Sequence, residues 1–246
     1  MTSILPSVWD VPPIFRQRLG TTVGRQRLME HDGHLLLILH EVPEPGVPER
    51  EGVFFWRDPS GHWETNVRGQ GLPELRELVA RYVKRVDLLE SAFAKADAAK
   101  KLFPVLRAIA PIVRASKHVH QVIQATREAL PKDREIIDIR DLAGEVERAA
   151  ELLETEARTA LEFDIAENAE TQAELNRELA MVGQRLNLLA AMFLPLTAVA
   201  SVFGMNLPSG LEGAVSPVWF WVVLAVGVGM GLVVRGRLSV AGAEGD

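Results

Sequence analysis

The chain has 246 residues, of which 48% are hydrophobic and 24% charged; 27 basic and 33 acidic side chains give a net charge of −6. It contains no cysteine, which excludes disulfides, thiolate zinc sites and thiol nucleophiles. Greasy and charged residues are kept apart along the sequence: 186–203 and 218–234 contain no charged residue at all.

The first thirty or so residues show no clear periodicity and carry Pro6, Pro12 and Pro13. They lack a basic start followed by a long apolar stretch, so no secretory signal is read there. HLLLILHEV (34–42) reads as a strand and PEPGVPERE (43–51) as a loop. GVFFWRDPSGHWETN (52–66) reads as a hairpin about the turn residues 58–61. Together these predict a small β-region of about three strands over residues 1–71. The six histidines are His31, His34, His40, His62, His118 and His120, and none makes a metal-ligand pattern. His118 and His120, two apart on a predicted helix, read as surface residues.

Residues 72–131 are predicted to form a helical region. Its first helix covers 72–102, Pro104 and Pro111 break or kink the next stretch, and Pro131 ends the second helix. From Asp133 no proline occurs until Pro195, and Ile139, Leu142, Val146, Ala149 and Leu153 recur at spacings of three and four. A long stalk helix over 132–185 is therefore predicted, running on into a first membrane span at 186–206. The whole would be about 105 Å long at 1.5 Å per residue. The other reading is a bend near Gly144 or within 167–178. Residues 134–178 hold fourteen acidic and five basic side chains, and no basic stripe with interleaved aromatics is apparent, so a nucleic-acid partner is not expected.

The uncharged stretches span about 26 Å each as helices, close to the roughly 30 Å of bilayer hydrocarbon. Trp219 and Trp221 open the second one, 218–234, and Arg235 and Arg237 follow it in the tail 235–246. The connector 207–217 has no Lys or Arg, so the positive-inside rule places both termini in the cytoplasm and this loop outside. Polar residues in a membrane helix are costly and face a bundle interior or a water path. Gly183, Leu186, Asn187, Ala190, Leu194, Thr197 and Ser201 fall on one side of the first span and are the candidate pore lining. Thr197 has a second reading, a bond back to its own helix, and the leucines a second one as lipid-facing packing.

The first span ends MFLPLTAVASVF and is followed by Gly204-Met205-Asn206, a short loop and a second span that ends in basic residues. In this arrangement the sequence resembles the CorA-type family of divalent-cation transporters, whose hallmark is Gly-Met-Asn between two C-terminal membrane helices. Pro195-Leu196-Thr197 matches a further feature of that family. The resemblance implies a homopentameric channel in the cell (inner or plasma) membrane, multi-pass, with a cytoplasmic funnel. Gly204, Met205 and Asn206 would form the selectivity filter, the Asn206 ring holding Mg²⁺ through its water shell. The transported ion would be Mg²⁺, or Co²⁺, Ni²⁺ or Zn²⁺. The expected partners are the lipid bilayer, further copies of the chain and divalent cations. No resident cofactor is expected beyond Mg²⁺ as transported and regulatory ion. The resemblance also points to a regulatory acid early in the stalk, with Asp141 and Glu145 as candidates; their other reading is a solvated face.

The fold class expected is thus an α+β membrane protein: a small N-terminal β-region, a helical cytoplasmic domain, and a stalk helix continuing into the first of two C-terminal transmembrane helices. A non-conducting, membrane-tethered coiled-coil protein is the alternative function. No nucleophile–base pair or phosphate loop suggests an enzyme.

Overall fold

The computed structural model describes residues 4–47, 49–204 and 218–241. It divides into two units, Met1–Glu167 and Asn168–Asp246.

The first unit is built on a four-stranded antiparallel meander, β1 (Arg27–His31), β2 (His34–His40), β3 (Gly52–Arg57) and β4 (Trp63–Thr65), in the order β1-β2-β3-β4. One strand more is present than the sequence reading gave. β1 pairs with β2 through the two-residue turn Asp32-Gly33, whose φ angles of 47° and 75° are the left-handed pair that Asp-Gly accommodates in a tight hairpin.

Residues 35–39 of β2 are all buried because both faces of the sheet are covered. Leu35, Leu37 and Leu39, with Val53 and Phe55, face the helices. Leu36 and Ile38, with Met29, Phe54 and Trp56, face the N-terminal segment, which supplies Leu5, Trp9, Val11 and Phe15. Phe15 comes from the short helix α1 (Pro13–Arg18). Arg16 closes this segment by donating from Nη2 to the carbonyls of Pro6 (3.0 Å) and Trp9 (2.8 Å).

Helix α2 (Gly71–Phe93) buries Leu75, Leu78, Val79, Tyr82 and Val86, a stripe at helical spacing. It stops at Phe93 rather than running to Leu102, the chain turning through 94–98. Helix α3 (Ala99–Ala129) then runs through both Pro104 and Pro111, so of the predicted break or kink the break does not occur. The carbonyls their rings leave without an intrahelical donor belong to Lys100 and Arg107, both exposed residues, where water can serve instead. The start of α3 has no side-chain cap of its own; the Ala99 N–H donates to Asp164 Oδ2 (2.9 Å) from the next helix.

That helix, α4, is a single helix over Arg134–Phe203. Asp133 caps it, its Oδ1 accepting from the N–H groups of Glu135 (3.1 Å) and Ile136 (3.3 Å). Within the first unit α4 buries Ile136, Ile139, Ala143, Val146, Ala150 and Leu153 in the same core as α2 and α3. His120 departs from the surface reading: it is only partly exposed, and its Nδ1 pairs with Glu147 of α4, while His118 is exposed. Gly144 admits this ring, since a Cβ there would lie 3.3 Å from His120 Nε2.

The second unit holds the remainder of α4 and helix α5 (Val218–Ala241). Among the described residues α4 is the one helix long and apolar enough to cross a membrane, through its C-terminal part.

Candidate ion-conduction site

The candidate site lies on α4 within the second unit. Leu188, Ala191, Pro195, Leu196 and Val199 are half-buried. At 100° per residue they occupy one side of the helix. This side meets α5: Gly227 and Gly231 of α5 are buried, and a Cβ on Gly227 would stand 3.0 Å from Leu196 Cδ1 and 3.6 Å from Leu196 Cα. Glycine there lets the two helices approach closely, a recurrent device in membrane helix pairs.

The predicted pore residues lie on the other side, roughly opposite by the same helical count. Leu186, Asn187, Ala190, Leu194, Thr197 and Ser201 are all exposed, Leu186 at 61% and Leu194 at 66%. Gly183 is half-exposed, with no atom within 4 Å of where its Cβ would stand. The structure therefore brings these seven onto one uncovered strip. Thr197 Oγ1 donates to the Phe193 carbonyl at 2.8 Å, so its hydrogen is used within the helix while its oxygen can still accept. Beside it, Pro195 offers no N–H to its own helix.

At the end of α4 the Gly204 N–H donates to the Ala200 carbonyl at 2.9 Å, and a Cβ on Gly204 would sit 3.1 Å from that same oxygen. Glycine suits this tight ending. Met205 and Asn206, the rest of the predicted filter, lie outside the described residues, as does the loop 207–217.

In the first unit Asp141 and Glu145 are both exposed, and the Arg140 guanidinium stands 3.1 Å from Asp141 Oδ1. Among the described residues no group of three or more His, Asp or Glu side chains is placed to hold a metal ion. A feature not read from the sequence is an uninterrupted apolar seam on α4. Leu175, Leu179, Val182, Leu186, Leu189 and Phe193 are all exposed and spaced 4-3-4-3-4, a heptad that begins well inside the polar stretch.

Residues 74–235 match the family model described as CorA-like Mg²⁺ transporter protein, more than half of the chain. The chain belongs to that family. Its members are membrane transporters and channels, not enzymes. Among solved structures, the ZntB cytoplasmic domain from Vibrio parahaemolyticus is similar at 13% identity and a TM-score of 0.53, covering 66% of this chain and 80% of that one. The CorA magnesium transporter from Methanocaldococcus jannaschii aligns at 17% identity and a TM-score of 0.43, over 87% of this chain and 78% of that one. The full-length CmaX protein aligns at 15% identity and a TM-score of 0.49, over 92% of this chain and 80% of that one. At these identities only fold is compared, and of these three the ZntB domain alone is close enough to support it. No curated protein sequence matches the chain. The mixed helix-and-strand architecture with its long helix agrees with the CorA-like fold.

Proposed function

We propose that the chain assembles into a homopentameric ring that conducts divalent cations across a membrane, Mg²⁺ first among them and Co²⁺, Ni²⁺ or Zn²⁺ after it. The observation that carries this reading is the exposed strip on the side of α4 that turns away from α5. Two helices of one chain cannot enclose a path, but a symmetric ring of α4 helices can, and its inner wall would be this strip. Self-assembly is favoured by the neighbouring seam from Leu175 to Phe193, which leaves six large apolar side chains uncovered.

In the ring, α5 is the outer membrane helix, Gly204, Met205 and Asn206 close the external mouth, and Thr197 and Ser201 offer oxygens below it. Leu194 and Leu186 form apolar constrictions that gate by dewetting. Mg²⁺ gives up its water reluctantly, so a ring of neutral amide oxygens selects it with its hydration shell in place. The deciding experiment is flux through the purified protein in liposomes, tested ion by ion. Uptake of Mg²⁺ supports the channel, whereas an assembled protein that passes none of the four ions leaves the tethered-assembly reading.

On this reading both termini lie in the cytoplasm, because the basic residues flank the two spans on that side. Since the chain has no native cysteine, a Gly210→Cys variant should react with an impermeant thiol reagent from outside the cell, and Ser239→Cys should not. The reverse pattern of labelling would invert the topology.

Asp141 and Glu145 are proposed as a regulatory Mg²⁺ site shared between neighbouring chains. Residues 134–178 carry nine more acidic than basic side chains, repeated around one axis in a ring. Such self-repulsion disfavours the closed assembly, and a bridging divalent ion relieves it. Protease resistance of α4 should rise with millimolar-range Mg²⁺ and rise less in an Asp141→Asn, Glu145→Gln variant. Identical digestion with and without Mg²⁺ would remove the regulatory site and leave the pore untouched.

A further inference from the structure

Outside the strip and its filter, the first unit presents two outward helix faces of opposite charge. On α3, Lys100, Arg107 and Arg114 are exposed at intervals of seven residues, so they line one side of the helix. Phe103, 57% exposed, lies on the same side. Among the described residues, none of these three cations has an acid of its own chain within ion-pair distance, whereas Lys101 and Lys117 each have one. Their spacing hides them in the sequence, where they read as scattered charges.

On α4 the outward side carries Asp138, Asp141, Glu145 and Glu156, together with Leu152 (60% exposed) and Phe163 (74%). Asp138 and Asp141 have arginines of their own chain nearby, Arg76 at 3.8 Å and Arg140 at 3.1 Å. Glu145 and Glu156 have none among the described residues. Arg134 falls on this same side and Arg148 just beside it, both exposed, so the side carries four acids to two arginines.

The two faces overlap in level at one end only: Asp138, Asp141 and Glu145 stand beside the last turns of α3, beyond Arg114, and Glu156 alone of the four acids lies within the span of the three cations. Within one chain α3 and α4 run antiparallel: the Ala99 N–H meets Asp164, Lys117 Nζ stands 4.0 Å from Glu151, and His120 pairs with Glu147. Arg107 is therefore level with the turn of α4 that carries Glu156. Phe103 is level with the turn just beyond it, toward Phe163. Rotation about an axis along the helices preserves level, so a second copy offers its Glu156 at the height of Arg107.

We infer that the basic face of α3 docks on the Glu156–Phe163 end of the outward side of α4 of a second copy of this chain, with Arg107 against Glu156 and Phe103 packed toward Phe163. The contact is head-to-tail, one face meeting a different face, and such contacts close into a ring when the rotation permits. It rests on the self-assembly in the proposed function and adds an interface, distant in sequence from the filter, that sets the spacing of neighbouring first units. The rim-type ion pairs contribute modestly and screen with salt, so their part is register and direction more than strength.

The test uses the full chain, co-expressed as two differently tagged variants, Arg107→Cys and Glu156→Cys, and oxidised in mild detergent. Because each chain then holds one cysteine, any disulfide joining the two tags is between chains. The expected result is a mixed-tag dimer at least about tenfold above the same-tag disulfide dimer that either variant forms when expressed alone, since facing cysteines meet at millimolar effective concentration. An oligomer in which the mixed dimer does not exceed the single-variant background overturns this contact and leaves the ring standing. A monomeric protein under the same conditions overturns both.

Discussion

Replacing Asn206 by alanine is expected to lower divalent-cation flux at least about tenfold, a loss of some 1.4 kcal/mol or more at the filter, while the oligomer still assembles. The expectation comes from the chemistry of the ion. A hydrated Mg²⁺ presents water hydrogens, and a ring of amide oxygens accepts them without stripping the shell. Alanine offers no acceptor, so the entering ion loses those contacts and gains none. Thr197→Ala should do less harm, because the Thr197 hydroxyl already donates to the Phe193 carbonyl at 2.8 Å and has only its acceptor capacity to offer the path. The two variants are compared by Mg²⁺ flux in liposomes, with native mass to establish assembly. Parental flux through an assembled Asn206→Ala protein would sink the filter assignment, and a larger loss in Thr197→Ala would move the selective step down the pore.

What could be read from the sequence depended on whether a signal was periodic and local. The strand at 34–42 and the hairpin at 52–66 were legible because apolar runs ended at turn residues. β1 was missed although its turn, Asp32-Gly33, was in plain view, because RLMEH carries only two apolar residues and alternation over so short a run is faint. Pro104 and Pro111 do not break the helix, one of the two outcomes the sequence left open. A helix tolerates the ring where the carbonyl it leaves free can reach water, and exposure of Lys100 and Arg107 was not visible before folding. His120 and Glu147 lie 27 residues apart, so their pairing belongs to the packing of α3 on α4 and to no local pattern. On the candidate site, helical counting alone placed Asn187, Thr197 and Ser201 on one side. The structure added that this side is the one α5 leaves uncovered. The seam from Leu175 to Phe193 was equally countable, but half of it was hidden among charged residues.

The first unit should be least tolerant of change where α2 begins. Gly71→Ala is expected to destabilise it by about 3 kcal/mol or more, toward the upper end of the cost of overpacking a well-filled site. Gly71 is buried at the start of α2, against β4. A Cβ there would lie 2.5 Å from both the Trp63 carbonyl carbon and the Trp63 Cβ, and 2.6 Å from the Trp63 carbonyl oxygen. Two of those three atoms are backbone, so no rotamer change relieves the overlap; either β4 leaves β3, to which it is held over Trp63–Thr65, or α2 lifts from the sheet. Lifting α2 would draw Leu75 and Leu78, both fully buried, out of the core. For a chain of this size each kcal/mol shifts the midpoint by roughly 2–4 °C, so the variant should melt roughly 6–12 °C below the parent. Gly20→Ala is the matched control, because its Cβ would find nothing nearer than the Thr22 nitrogen at 4.0 Å. Thermal unfolding of the full chain in detergent, followed by tryptophan fluorescence, reads the difference: Trp9 and Trp56 lie in the layer on the far face of the sheet, and Trp63 is the contact itself. Equal midpoints for Gly71→Ala and Gly20→Ala would mean that the helix start yields without cost, and that the close approach of α2 to β4 is not what fixes this helix on the sheet.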